Sequence, residues 1–483
     1  MKKSNYIILI LGIILTASFG YKKSKIEPKK QDKPNVLFIA IDDLNDWIGV
    51  LGEHPQAKTP HMDRMAQRGV LFSNAHCQAP VCNPSRASVM TSLYPSTSGI
   101  YFLNPDIVES PVASENIVMP KRFQQEGYNV FAAGKIFHNG KGINETHIPN
   151  YAGHFGGFGP MPEQKISTYP GHPLWDWGVY PERDDQMPDY KIASWAAQKL
   201  AKKQDQPFWM GVGFYRPHVP QFAPQKWFDM HPLESLELPK TITGDLDDIS
   251  PYGIDITRLK HVSPAFEWVV ENEEWKPLVQ SYLACVSFVD EQVGRVLDAL
   301  DNGDYGDNTY VVLFSDHGFH LGEKERFAKR SLWEDGIRVP MIIMGPDIPK
   351  GKVVTKPVQL LDIYPTLLEL CHLNPDPKHE GNSLVPLLKD IDAEWPHYAR
   401  TCFGPGNYAI ISEQYRFIQY NDKTEEFYDH KVDPHEWYNA IDQPEYAEII
   451  GQHRNQVPLK RYDILGSGST GHESFEATEK KNN

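Results

Sequence analysis

Two acids stand side by side at Asp42 and Asp43, and a third stands beside an imidazole at Asp316 and His317. Each pair ends a short apolar, β-branched run, Asn35 to Ile41 in one case and Tyr310 to Ser315 in the other. Such runs read as buried strands, and open α/β sheets gather ligand sites beyond the carboxyl ends of their strands. Two segments far apart in sequence would thus deliver acidic and imidazole groups to one edge. Between them lies Cys82-Asn83-Pro84-Ser85-Arg86, and the chain has five cysteines, at positions 77, 82, 285, 371 and 402. In an exported protein an odd count leaves at least one thiol unpaired or modified.

The elements that would position these groups alternate. Met341 to Met344 reads as a further strand. Thr59-Pro60 opens a helix through Ala66, with a cap residue followed by proline at the first helical position. Leu278 to Leu300 and Leu360 to Leu370 carry apolar residues at helical spacing. Strands alternating with helices predict an α/β fold, an α/β/α sandwich over residues 34–390. Tyr408 to Arg416 and Phe417 to Tyr420 read as short strands of a smaller antiparallel α+β subdomain over residues 391–465. From Gly466 onward the chain is rich in Gly, Ser, Glu and Lys and is expected to be a disordered tail, 466–483. Asn144 to Pro188, aperiodic and full of Gly, Pro and aromatic residues, reads as a long loop.

With 40% hydrophobic and 23% charged residues the chain is an ordinary globular one. A net charge of −15 argues against non-specific nucleic-acid binding, so cations that receive an anionic substrate must be local. Lys2 and Lys3, the apolar run Ile7 to Ala17, and the small residues Ser18 and Gly20 read as a signal peptide over 1–20, with a lysine-rich tether over 21–33. The apolar run is shorter than the roughly 20 residues that span a bilayer, so periplasmic or secreted localisation after cleavage is expected, without stable membrane insertion.

Cys82-x-Pro-Ser-Arg86 resembles the recognition sequence of type I, formylglycine-dependent sulfatases. The resemblance runs through Asp42-Asp43, Thr59-Pro60-His61-Met62-Asp63, Gly134-Lys135-Ile136-Phe137-His138, Tyr215-Arg216-Pro217-His218, Ser315-Asp316-His317-Gly318, Ala328-Lys329 and Asp429 with Asp433-Pro434. In these motifs the chain is most similar to iduronate-2-sulfatase-like members, and the family's alkaline-phosphatase/sulfatase-like fold is implied. One departure stands at Ser92, where the family usually has glycine.

The resemblance implies that a partner, a formylglycine-generating or anaerobic sulfatase-maturating enzyme, oxidises Cys82 to the aldehyde formylglycine. It implies one Ca2+ per chain, held by Asp42, Asp43, Cys82, Asp316 and His317. An oxygen-rich donor set suits a hard cation better than a soft transition metal. Arg86, Lys135 and Lys329 are the implied cationic clamp on sulfate, with Arg86 counted among the catalytic groups. His138 would serve the formylglycine and help expel sulfate, and His218 would protonate the leaving oxygen, a task suited to a group titrating near neutrality. An unmodified thiolate would not serve, since attack on sulfur would leave a stable S-sulfated cysteine.

The resemblance favours a sulfated carbohydrate as substrate, such as the uronate-containing ulvan or a glycosaminoglycan. Tyr94 to Asp106, His172 to Trp177 and Tyr252 to Trp275 are candidate pocket walls. Two alternatives stand beside this reading: a phosphonate or phosphate monoester hydrolase of the same superfamily, and a non-catalytic sulfoglycan-binding protein.

Overall fold

The computed structural model describes residues 33–138, 143–258 and 263–482. The signal peptide expected over 1–20 and all but the last residue of the tether lie outside them. The central sheet is mixed. Its strands are β1 (Asn35–Asp42), β2 (Val70–His76), β3 (Asn129–Gly134), β4 (Asn150–Tyr151), β5 (Phe208–Pro217), β6 (Thr309–Ser315), β7 (Arg338–Met344), β8 (Lys352–Val354) and β9 (Val358–Gln359). They run in the order β8-β2-β7-β6-β1-β5-β3-β4, with β9 also pairing β2. β1 lies parallel between β5 and β6, while β7 is antiparallel to both of its neighbours.

β1 is buried along its whole length because both faces of the sheet are covered. Val36, Phe38 and Ala40 enter one core, together with residues of α2 (Cys82–Thr91) and α5 (Ile363–Leu370). Leu37, Ile39 and Ile41 enter the other, facing α1 (Pro60–Arg68), α3 (Pro188–Leu200) and α4 (Trp275–Asp301). The period-two alternation of a strand divides the two cores, and the expected α/β/α sandwich is the architecture found. No helix among the described residues is long and apolar enough to cross a membrane.

The smaller antiparallel sheet consists of β10 (Ala399–Cys402), β11 (Tyr408–Ile411), β12 (Tyr415–Gln419) and β13 (Glu425–Asp429). The single run expected over Tyr408 to Arg416 is in fact two strands. Ser412 to Gln414 form a turn closed by Ser412 N–H donating to Tyr415 O at 2.9 Å.

The tail also departs from expectation. Residues Thr470–Asn482 form α6, anchored where the Phe475 ring lies 6.0 Å and the His472 ring 5.0 Å from that of Phe102. Phe475 is only 9% exposed, so one aromatic side chain supplies the buried surface that composition did not suggest.

Ser92 explains its own oddity. It caps α2 in the left-handed conformation, φ 54° and ψ 37°, which glycine adopts without cost and other residues do not. Its hydroxyl donates to Leu361 O at 2.9 Å and accepts from Gly381 N–H at 3.1 Å. Hydrogen bonds of this kind contribute about 0.5–1.5 kcal/mol each and offset the backbone cost. Ser92→Gly is therefore expected to change stability by less than about 1 kcal/mol, and Ser92→Ala to destabilise by about 1–3 kcal/mol, as read by denaturant unfolding.

Candidate active site

The site forms at the carboxyl end of β1. A register shift between Ile41 and Asp42 turns the chain, and Asp43 follows with φ 63°. Non-glycine residues are held in that region only where their surroundings enforce it. Here Asp43 N–H donates to Asp316 Oδ1 at 3.2 Å, and Tyr282 O–H donates to Asp43 O at 2.8 Å. The neighbouring strand β6 delivers Asp316 and His317 to the same edge. His317 Nδ1 lies 3.0 Å from Gly318 O, which directs Nε2 inward, 3.3 Å from Asp43 Oδ1 and 3.6 Å from Asp316 Oδ1.

Cys82 is the first residue of α2, where the helix end favours negative charge. Its Sγ lies 3.2 Å from His317 Nε2 and 3.4 Å from Lys329 Nζ. Burial alone would raise the thiol. The charges of Lys135, Lys329 and His317 and a hydrogen bond from His138 outweigh it and hold Cys82 well below its ordinary range. Among the five cysteines, all buried and none in a disulfide, Cys77, Cys285 and Cys402 are instead pushed up by burial.

The three expected clamp cations fall in different places. Lys329 faces the cavity and pairs with Asp43 Oδ1 at 2.5 Å. Lys135 is fully buried, with Nζ 2.7 and 2.6 Å from the two oxygens of Asp42. It reaches this position because Gly134, at φ 77°, passes so close to β5 that a Cβ there would lie 1.9 Å from Gly213 O. Arg86 is 2% exposed and spends its donors on Asp316 (2.8 Å), Asp42 (3.5 Å) and the carbonyls of Lys135 and Ile136. It holds the acids in place from behind, so its geometry is that of a positioning residue and not of a clamp on the cavity.

Asp42, Asp43, Asp316 and His317 come together as expected. Asp42, Cys82, Asp316 and His317 form one group with ligand atoms within 4.8 Å of one another, and Asp42, Asp43, Cys82 and His218 form a second. Asp43 Oδ2 is buried and has no hydrogen-bond partner among the described residues. Burial pushes Asp43 up to about 7, against the pull of Lys329 and His317. Burial opposes charge on His317 too, but the Asp316 carboxylate raises it to about 9. Several carboxylates crowded in low dielectric around an unpaired oxygen fit a hard divalent cation.

A cavity of about 270 Å³ opens above these groups, lined by Asp43, Cys82, His138, His218 and Lys329. His218 follows β5 directly. Its Nδ1 lies 2.5 Å from Val219 O and its Nε2 3.9 Å from Asp43 Oδ2, with the Phe158 ring 4.5 Å away. Burial, then the charges of Lys329 and Lys135, holds His218 well below its usual value, so the free imidazole is neutral. Leu103, His172, Leu174 and Trp175 form walls in two of the three expected segments, whereas the described residues between Tyr252 and Trp275 contribute none. Phe158, Phe319, Arg330 and Thr470 also line the cavity. No motif marked them, although Arg330 directly follows one.

A layered sheet that gathers acids, an imidazole, cations and an activated cysteine at its strand ends is an arrangement for acting on an anionic ester. The sulfatase family profile matches residues 34–373, and that of the N-sulphoglucosamine sulphohydrolase C-terminal region matches 322–462. The chain belongs to the sulfatase family and is a sulfuric ester hydrolase. A sulfatase of Formosa agariphila is 44% identical, covering 93% of this chain and 90% of that protein. An ulvan-active sulfatase of the same organism is 32% identical over 92% and 84%. Human iduronate 2-sulfatase is 28% identical over 83% and 81%. The phosphonate monoester hydrolase of Agrobacterium radiobacter shares the fold, with a TM-score of 0.72 at 20% identity over 93% of this chain and 96% of that one.

Proposed function

We propose that the chain is an exported sulfatase that removes sulfate from a carbohydrate, uses formylglycine made from Cys82, and binds one Ca2+ through Asp42, Asp43, Asp316 and His317. The observation that carries this reading is Cys82 itself, set at a helix start on the cavity floor between Lys329, His138 and His317. When present, the divalent cation supplies positive charge to the sulfate oxygens and formylglycine supplies the oxygen nucleophile.

The chain's own residues do the rest. Lys329 reaches from the cavity wall to the nucleophile position, where it can neutralise an incoming sulfate oxygen. Lys135 and Arg86 pair with Asp42 and Asp316 and hold them fixed, which pre-organises the cation-binding edge. His138 sits on the Cys82 sulfur, the right place to take a proton from a group at that position. His218 Nδ1 donates to a backbone carbonyl, which leaves Nε2 free to carry the proton that a leaving alcohol needs. The negative charge of a bound sulfate would raise His218 toward protonation.

Relatives named for ulvan and for iduronate support a sulfated carbohydrate as substrate, and the basic-apolar leader supports export. The test is mass spectrometry of the peptide ending at Arg86 after co-expression with a maturating enzyme, paired with assays on aryl sulfate and aryl phosphate. An aldehyde at Cys82, a preference for sulfate and loss of activity in Cys82→Ala are expected. A peptide carrying only thiol, with activity undiminished in Cys82→Ala, would refute the mechanism.

A further inference from the structure

Arg330 follows Lys329 in a segment of unusual backbone, with Ala328 at φ 111° and Arg330 at φ 78°. Both values lie in the region that disfavours a Cβ, so the loop holds Lys329 and Arg330 in a conformation that the chain does not adopt by default. Lys329 is committed to Asp43 and Cys82. Arg330 lines the same cavity, drawn toward the charges of Asp43 and the Cys82 position but hydrogen-bonded to neither. It is 6% exposed, and its Nε and Nη1 are buried with no hydrogen-bond partner among the described residues.

Burying an unpaired charge is costly, and proteins normally place an acid beside a buried guanidinium. Here the charges that act on Arg330 are those of Asp43 and the Cys82 position, both already engaged by Lys329, and the neighbouring Arg326 is a second cation. Arg326 spends Nη2 on Lys329 O at 2.8 Å, has no partner for Nε and Nη1 among the described residues, and is depressed first by burial and then by the charge of Arg330. Lys329 and Arg330 thus share Asp43 and the Cys82 position as opposite charges. The same cavity is lined by the apolar side chains of Leu103, Trp175 and Phe319, whose low polarisability strengthens charge pairing there.

We propose that Arg330 is a second anion subsite, binding a carboxylate or a second sulfo group on the sugar that carries the scissile sulfate or on its neighbour. The planar guanidinium fork matches either group in a bidentate manner. This rests on the sulfatase reading above and narrows it to polyanionic carbohydrates. Arg330 would act in recognition, with Lys329 remaining at the reacting sulfate.

The test compares the mature wild-type enzyme with Arg330→Gln and Arg330→Lys on matched substrates. The pairs are a sulfated uronide with its carboxyl-reduced counterpart, and a disulfated sugar with its monosulfated counterpart. Arg330→Gln is expected to lower kcat/KM on the doubly anionic member roughly 10- to 100-fold more than on its partner, mainly through KM. Arg330→Lys should recover part of that loss. The pair that shows the effect identifies whether the subsite takes carboxylate or sulfo. Equal losses on both members of both pairs, or no loss on any, would overturn the proposal. Calorimetric titration of the desulfated uronide and of the monosulfated product gives a reading independent of turnover, with weaker binding to Arg330→Gln expected. The variant should melt no lower than wild type, because it loses an unpaired charge, and a lower melting temperature would point to a structural role instead. Wild-type protein that cleaves aryl phosphate but no sulfate ester would refute the sulfatase reading, while the titration would still decide the subsite.

Discussion

Replacing Lys329 with methionine is expected to lower kcat/KM on an aryl sulfate by about 10²- to 10³-fold, the range seen when one oxyanion-stabilising donor is lost. Most of the loss should fall in kcat, because Lys329 stands at the nucleophile position, 3.4 Å from Cys82 Sγ, where charge develops during transfer. Methionine keeps most of the length and apolar contact of the lysine stem, so lost packing contributes little. A second readout separates this role from a general disturbance. In unmodified protein Lys329 is one of the charges that hold the Cys82 thiol down. The pH midpoint for alkylation of Cys82 should therefore move upward in Lys329→Met. A kcat/KM within threefold of wild type, or a midpoint that does not move, would remove Lys329 from the reacting centre.

Some of this site was legible in the sequence for a simple reason. Asp42, Asp43, Asp316 and His317 directly follow apolar β-branched runs, and a strand end fixes where the next side chains go. Cys82 was equally plain, because Cys82-x-Pro-Ser-Arg86 resembles the family's recognition sequence, whereas its place at a helix start emerges only from the fold. Arg86 stood in the same motif, yet its orientation was not readable. It lies one helical turn past Cys82 and turns behind the site to Asp316 and Asp42, a choice made by tertiary packing. Arg330 was hidden differently, since what sets it apart is the lack of a partner, a property of its surroundings. Helix α6 escaped because its sequence is polar almost throughout. Phe475 and His472 anchor it on Phe102, and those contacts bring Thr470 to the cavity. The division of Tyr408 to Arg416 into two strands likewise depends on a turn, Ser412-Glu413-Gln414, that lacks glycine and proline and so carried little local signal.

Removing the proposed divalent cation is expected to abolish turnover and to make stability fall with rising pH in a window set by two of its proposed ligands. In the cation-free chain Asp43 sits at about 7, against an ordinary value of 3.8, so between these values the folded state holds a proton that the unfolded state has lost. His317, raised from 6.5 to about 9, does the same at higher pH. Each group stabilises the fold fully below its unfolded value and loses that contribution as pH rises through its folded value. His218 has the opposite sign: its depressed value withdraws stability as pH falls below 6.5, which overlaps the lower part of this window and opposes Asp43 there. A cation replaces both protons with its own charge, so its affinity should rise between pH 6 and 9. At 100 times its Kd a ligand adds about 2.7 kcal/mol of stability. The increase in Tm on adding Ca2+ to chelator-treated protein should therefore be larger at pH 8.5 than at pH 6, in calorimetric scans made at equal concentrations. Other buried acids raised to about 7, such as Asp46 and Glu323, tilt the whole profile but cancel in the difference with and without Ca2+. Asp43→Asn and Asp316→Asn should each shrink the gain, and Asp43→Asn should flatten its pH dependence between 6 and 7.5. An equal gain at both pH values, or one that survives both substitutions, would place the cation somewhere other than this edge.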